Sequence, residues 1–174
     1  MEIVTERLFL REMVPEDFDA LYAVLADSDI MRHYPYTFDA ARVRNWIARN
    51  QERYRTDGFG LWAVCQKDTG SMIGDCGLTV QNINGQSLPE IGYHIAKAHQ
   101  RRGYAGEAAR AVCGWAFENT PFDALYSYMK EDNAPSAATA RANGMRLLET
   151  YIDSEGERTA VYGITRAECH HRTS

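Results

Sequence analysis

Apolar and polar positions alternate at the start of the chain. Over residues 3–13, Leu8 and Leu10 fall on one face and Arg7, Phe9 and Arg11 on the other, the period expected of a strand. The spacing then lengthens to that of a helix at Phe18, Leu21, Tyr22 and Leu25. Pro15-Glu16-Asp17 opens that helix, because proline fits a first turn and acidic residues suit the positive end of the helix dipole. A loop, Met31-Arg32-His33-Tyr34-Pro35-Tyr36, leads to a second helical stretch over about 39–54, with Val43, Trp46, Ile47 and Tyr54 inward.

The period returns to two over 61–66 and 72–81, around Lys67-Asp68-Thr69-Gly70, which predicts a hairpin. Residues 82–88 read as a polar loop and 90–96 as a strand. A helix is expected from 103 to about 118, stopped by Asn119-Thr120-Pro121. Then come a strand over 124–130, a short helix over 136–143 ended by Gly144, and strands over 145–152 and 159–164 joined by Asp153-Ser154-Glu155-Gly156. The strand–helix–strand passage in the middle implies local parallel pairing, and the hairpins imply antiparallel pairing. The expected fold is a mixed α/β domain spanning 1–174. It has one twisted, mostly antiparallel sheet of about seven strands with helices on both faces, and a polar tail from about residue 166.

With 174 residues, 45% of them hydrophobic and 25% charged, the chain suits one soluble domain with a substantial core. No apolar run approaches the roughly 20 residues that span a bilayer, and the N-terminus lacks a basic-then-apolar leader, so a cytoplasmic location without membrane attachment is expected. The net charge of −5, with no concentrated basic stripe, argues against nucleic acid and suits a cationic partner such as an amine. Cys65, Cys76 and Cys113 read as small buried hydrophobes. Nothing places a base beside Cys76, despite its neighbour Asp75. Cys169-His170-His171 reads as a solvated end, and no metal site is expected.

The segment with the most chemistry runs from Glu90-Ile91-Gly92-Tyr93-His94-Ile95 through Gln100-Arg101-Arg102-Gly103-Tyr104-Ala105-Gly106. An apolar strand ends, a basic turn follows, and a helix opens with small residues. Gly103, Ala105 and Gly106 let a bulky anion approach the backbone, and a helix start offers unpaired amides and a positive dipole end. Arg101 and Arg102 add charge, and together these features favour a pyrophosphate. The segment matches neither a Walker A loop nor a dinucleotide fingerprint, and an ordinary strand-to-helix turn is the competing reading.

Gln100-Arg101-Arg102-Gly103-Tyr104-Ala105 resembles the Gln/Arg-x-x-Gly-x-Gly/Ala signature of the GNAT superfamily of N-acetyltransferases. Thr5-Glu6-Arg7-Leu8-Phe9-Leu10-Arg11 resembles the opening strand of the branch containing ribosomal-protein N-terminal acetyltransferases. Asn133-Ala134-Pro135-Ser136 and Asn143-Gly144-Met145 resemble that branch's Asn-x-x-Ser and Gly-Phe, with Met in place of Phe. The resemblance covers the chain from about Val4 to Gly163. It implies that acetyl-CoA is the co-substrate, that amides of Arg101 through Gly106 hold its pyrophosphate, and that backbone at His94–Ile95 pairs with the pantetheine arm. It further implies that this strand and the one over 124–130 splay apart to admit the cofactor, and that Asn133 bonds the pantetheine arm.

Acetyl transfer to an amine needs a proton acceptor, a donor to the carbonyl oxygen and a proton for the leaving sulfur. Glu90, where similar enzymes often carry a catalytic Glu, is the candidate base, against a structural or surface carboxylate. His94 shares its face and has an imidazole able to accept a proton, with a structural or substrate-lining role preferred. Ser136 is the candidate proton donor to sulfur, since the Tyr that many relatives use one helical turn on is Ala140 here; a helix cap is the competing reading. Tyr34, Tyr36 and Trp62 are candidates to line the acceptor pocket, against a packing role. The expected activity is direct acetyl transfer from acetyl-CoA to a primary amine, either a protein N-terminus or a small molecule. The alternative is an acyl-CoA-binding module without catalysis. A homodimer is left open.

Overall fold

The structure, a computed structural model, describes residues 1–170. Strand β1 (Glu2–Val4) and strand β2 (Leu8–Arg11) are followed by helix α1 (Phe18–Leu25) and helix α2 (Ala40–Thr56). Strands β3 (Leu61–Gln66), β4 (Met72–Ile83) and β5 (Gln86–Ile95) come next, then α3 (Tyr104–Asn119), β6 (Ala124–Lys130), α4 (Ala134–Ala142), β7 (Arg146–Ile152), β8 (Arg158–Thr165) and α5 (Arg166–His170). The strands form one sheet in the order β1-β2-β3-β4-β5-β6-β8-β7. Every neighbouring pair is antiparallel except β5 and β6.

Three expectations change. The stretch 3–13 is two strands, because Thr5 Oγ1 accepts from the amide of Leu8 at 2.9 Å and turns the chain back, pairing Ile3 with Leu10. Among the described residues the sheet therefore has eight strands. The supposed polar loop over 82–88 is the tip of a long hairpin: β4 and β5 pair as far as Ile83–Gln86. Asn84 and Gly85 both take positive φ, +49° and +81°, as a two-residue turn of type I′ requires. The start of the supposed tail, 166–170, is helical; His171 lies outside the described residues.

Period-two alternation sorts the sheet into two packed faces. Leu8, Leu10, Trp62, Val64, Cys76, Leu78, Ile91 and Leu125 join the core under α3, whose Ala108, Ala109, Val112 and Ala116 let the helix sit close. Leu61, Ala63 and Cys65 face the opposite way and pack with Leu21, Leu25, Val43 and Ile47 of α1 and α2. Each fully buried aliphatic side chain of this kind contributes about 1.5–3 kcal/mol. Side-chain oxygens satisfy two helix starts: Asp39 accepts from the amide of Arg42 at 2.8 Å at the head of α2, and Asn133 from that of Ser136 at 3.3 Å at the head of α4.

Candidate active site

β5 and β6 run in the same direction but pair at a single register position, Glu90 with Tyr126. Beyond it they diverge and leave a slot. The hydroxyl of Ser127 closes the root of this slot by donating to the carbonyl of Ile91 at 2.8 Å. Alternation decides which β5 groups face the slot. The amide of Ala96 donates to Ile73 on β4, and a Cβ built on Gly74 would lie 2.0 Å from the carbonyl oxygen of His94. Backbone groups of His94 thus turn toward β4, while those of Tyr93 and Ile95 turn toward the slot. The carbonyl of Ile95 is met there by Gln100 Nε2 at 3.0 Å, so the Gln100 side chain braces the turn from within.

The turn leading into α3 presents its backbone outward. Arg101 takes φ +59° and Gly103 φ +81°, which curls the chain so that successive amides converge ahead of the helix. Among the described residues, the amides of Arg101 through Gly106 have no backbone partner. A Cβ on Gly106 would touch nothing within 4 Å, so the helix start is open on that side. Tyr104 is held from behind by Gln66 Nε2, 3.1 Å from its hydroxyl. These features fit an anion of pyrophosphate size.

On the α1/α2 face of β5, Glu90, Gly92 and His94 follow one another at every second position. Gly92 leaves a gap between two titratable side chains; a Cβ there would already lie 3.2 Å from the Glu90 carboxylate. Burial pushes the Glu90 carboxyl up to about 7, against the opposing pull of His94, of a 3.4 Å hydrogen bond from Thr79 and of Arg53. A carboxyl with that value is half ionised near neutral pH, which suits a general acid–base group. His94 stands directly across from Asp75 on β4, with Nδ1 2.8 Å from Asp75 Oδ1. Burial works against the imidazolium, but the charge and hydrogen bond of Asp75, with the charge of Glu90, outweigh it and raise the His94 pKa above its ordinary value.

Tyr34 reaches this face from the α1–α2 connection, its hydroxyl 3.2 Å from His94 Nε2. It borders a cleft of about 450 Å³ with Arg32, His33, Pro35, Asp132, Glu155 and Glu157. Tyr36 is 45% exposed and is covered by the Arg42 guanidinium at 3.9 Å, with Tyr34 edge-on at 6.2 Å. Trp62, expected at the acceptor pocket, does not reach it. It is 1% exposed on the α3 face, edge-on to Trp115 at 4.9 Å. The tryptophan on the Glu90–His94 face is Trp46 of α2, whose indole N–H donates to Asp75 Oδ2 at 2.9 Å.

Ser136 is in the first turn of α4. Asn133 is the cap of α4, so the Ser136 hydroxyl does not serve as one; its side chain lies beside the Tyr93 phenol. The phenol of Tyr93, from the slot strand, donates to the Ser136 carbonyl at 3.4 Å and ties α4 to β5. Asp75 and Trp46 had no signal as site residues in the sequence, because only the β4–β5 register brings Asp75 opposite His94. Cys76 is fully buried with its thiol pushed well above its usual value by burial, as a core residue. Among the described residues no group of three or more His, Cys, Asp and Glu side chains is arranged to hold a metal, and no helix is long and apolar enough to cross a membrane.

A family model described as acetyltransferase (GNAT) domain matches residues 7–146. The chain is 35% identical over 162 residues to the uncharacterised protein YkkB of Bacillus subtilis (strain 168), covering 92% of this chain and 94% of that one. The crystal structure of an acetyltransferase from Agrobacterium tumefaciens str. C58 superposes with a TM-score of 0.81 at 28% identity, over 95% of each chain. The fold is shared with RimL, a ribosomal L7/L12 alpha-N-protein acetyltransferase solved in complex with coenzyme A, at a TM-score of 0.80 and 17% identity over 95% of this chain and 98% of that one. Splayed strands, a glycine turn with outward amides and a family match over most of the length converge: the chain belongs to the GNAT family of acetyltransferases.

Proposed function

We propose that the protein moves the acetyl group of acetyl-CoA to a primary amine by direct transfer in a ternary complex. The observation that carries this reading is the slot between β5 and β6, with the open amides of the α3 turn at one end and the Glu90–Gly92–His94 face at the other. The amides of Arg101 through Gly106 hold the pyrophosphate, with Arg101 and Arg102 adding charge and Gln100 and Tyr104 fixing the turn. The pantetheine arm lies along the slot and pairs with backbone of Tyr93 and Ile95, whose groups face it, and Asn133 borders it from the head of α4. A slot-facing amide donates to the acetyl carbonyl oxygen as charge develops there.

Glu90 takes a proton from the incoming ammonium, since an alkylamine with a pKa near 10 is otherwise cationic at neutral pH. Ser136 gives a proton to the departing sulfur. The acceptor enters through the cleft beside Tyr34 and Tyr36. Asp132, Glu155 and Glu157 on its rim suit an acceptor that carries positive charge, though Lys130 offsets part of theirs through contacts to Glu155 at 3.2 Å and Glu157 at 3.3 Å.

The test is thiol release from acetyl-CoA with a panel of N-terminal peptides, polyamines, amino acids and amine antibiotics. Acceptor-dependent release establishes the reaction, and the responding class distinguishes a protein N-terminus from a small amine. Tight CoA binding with no release from any acceptor would overturn it in favour of a binding module.

A further inference from the structure

Four side chains form a continuous polar chain across the acceptor face of the sheet. Trp46 Nε1 donates to Asp75 Oδ2 at 2.9 Å, Asp75 Oδ1 lies 2.8 Å from His94 Nδ1, and His94 Nε2 lies 3.2 Å from the Tyr34 hydroxyl. Asp75 is wholly buried, and the His94 side chain is 14% exposed. The end nearest solvent is Tyr34, which borders the acceptor cleft. The His94 ring packs edge-on against Trp46 at 5.7 Å and tilted against Tyr34 at 5.9 Å.

Burying a carboxylate and an imidazole is costly, and apolar side chains would serve the core at least as well. The arrangement also has a direction. With Nδ1–H committed to Asp75, Nε2 of the neutral ring carries a lone pair aimed at the Tyr34 O–H. Tyr34 keeps its own proton, because burial and the charges of Asp75 and Glu90 raise its pKa. The result is a hydrogen-bonded path from the cleft to a buried acceptor, on the strand that also carries Glu90.

The reaction needs such a path. An ammonium acceptor loses two protons from nitrogen, one before the N–C bond forms and one after it, and Glu90 accounts for the first. We propose that Tyr34, His94 and Asp75 form a relay that removes the second proton. As the C–S bond breaks, one of the two remaining N–H protons passes to the Tyr34 oxygen while the Tyr34 proton passes to His94 Nε2, leaving imidazolium against Asp75 and one N–H on the amide product. Ser136 supplies the sulfur and is reprotonated from solvent, while Glu90 and His94 each return a proton to solvent, so one proton is released per turnover. Trp46 and Asp75 are positioning residues that fix the ring and its tautomer.

This inference rests on the acetyltransferase reading, and its test separates the two. The relay works with His94 neutral, and the ionisable groups facing that ring are Asp75 from β4, Glu90 from β5 and Tyr34 from the α1–α2 loop, with Trp46 of α2 uncharged. Profiles of kcat against pH are compared for wild type, Glu90→Gln, His94→Gln, Tyr34→Phe and Asp75→Asn with one acceptor. His94→Gln and Tyr34→Phe should lower kcat by about a hundredfold with acetyl-CoA affinity unchanged in calorimetry. His94→Gln should also remove one ionisation from the acid limb, and Asp75→Asn should move that limb to lower pH. A purely structural role would lower the rate without reshaping the limb. A wild-type rate and limb in His94→Gln would overturn the relay. Nitrogen NMR of the free wild-type protein should find Nδ1 of neutral His94 protonated and Nε2 bare. The opposite tautomer would overturn the relay whether or not an acceptor is known, whereas a wild type that acetylates no amine would count against the acetyltransferase reading.

Discussion

Arg7 Nε and Glu107 Oε2 meet at 2.7 Å across 100 positions of sequence. The same carboxylate accepts from the Arg7 amide at 2.8 Å and the Thr5 hydroxyl at 2.6 Å, while Arg7 Nη1 reaches the carbonyl of Arg102 at 2.8 Å. The β1–β2 turn thereby clamps the glycine turn that opens α3. Burial alone would raise the Glu107 carboxyl, but the bonds from Thr5 and Arg7 outweigh it and hold its pKa below 4.5. A depressed carboxyl contributes stability that is present above its unfolded value and lost as pH falls through the folded one. Glu107→Gln should therefore lower Tm and weaken acetyl-CoA at neutral pH, and its Tm deficit should shrink below about pH 4. Thermal scans across that range check this, and equal stabilities at neutral pH would refute the clamp.

Gly106 separates phosphate binding from folding better than Gly103 does. Any side chain at Gly103 must adopt φ +81°, whereas a Cβ at Gly106 meets open space. Gly106→Glu should place a carboxylate before the open amides and weaken acetyl-CoA by about a hundredfold or more, with Tm nearly unchanged. Calorimetry on this variant decides the matter, and wild-type affinity would remove the pyrophosphate from the α3 turn.

Under the proposed mechanism, Glu90 links activity and stability through one ionisation. Its folded pKa, about 7, is above the ordinary 4.5, so its stabilising contribution is complete at low pH and is lost as pH rises through 7. Glu90→Gln should be more stable than wild type at pH 8 by at most about 3 kcal/mol, with little difference at pH 4. It should also lose the ionisation near neutrality from the acid limb of its rate profile. Denaturant melts at the two pH values, with a kcat profile, test both; a superimposable profile would dismiss Glu90 as the base.

Asn133 caps α4, and the duty proposed for Ser136 lies three residues on. Removing the cap in Asn133→Ala should cost about 1 kcal/mol of stability. Ser136→Ala leaves the cap in place and should keep its stability while losing turnover, with CoA affinity retained. Paired melts and kinetics on the two variants show whether the duties separate in this way. A Ser136→Ala enzyme at full rate would assign the sulfur's proton to another donor.

The glycine turn before α3 was legible in the sequence because its signals are local: glycines, arginines and a helix start lie within seven consecutive residues, Gln100 to Gly106. The helices α2 and α3 were legible because long apolar stripes carry their own period. Trp62 was not, because β3 is buried at all six positions and an unbroken apolar run gives no sign of which face a residue takes. The β4–β5 tip was missed because the hairpin arm beyond the core is polar on its exposed positions, and the Asn84-Gly85 turn was the only mark of reversal. Asp75 was invisible as a site residue for a deeper reason: its partner lies on another strand, and register is a property of the assembled sheet.

A sheet of eight strands fastened at its middle by one register position, Glu90–Tyr126, and the adjoining Ser127–Ile91 hydrogen bond behaves as two smaller plates joined at one short seam. In the proposed binding mode, a pantetheine arm between β5 and β6 would do more than deliver a reagent. It would stand in for the missing rungs of a ladder, so the same molecule would be both fuel and scaffolding. By mass action, acetyl-CoA should make the whole domain stiffer and harder to melt, and each turnover should briefly loosen it as the spent thiol leaves.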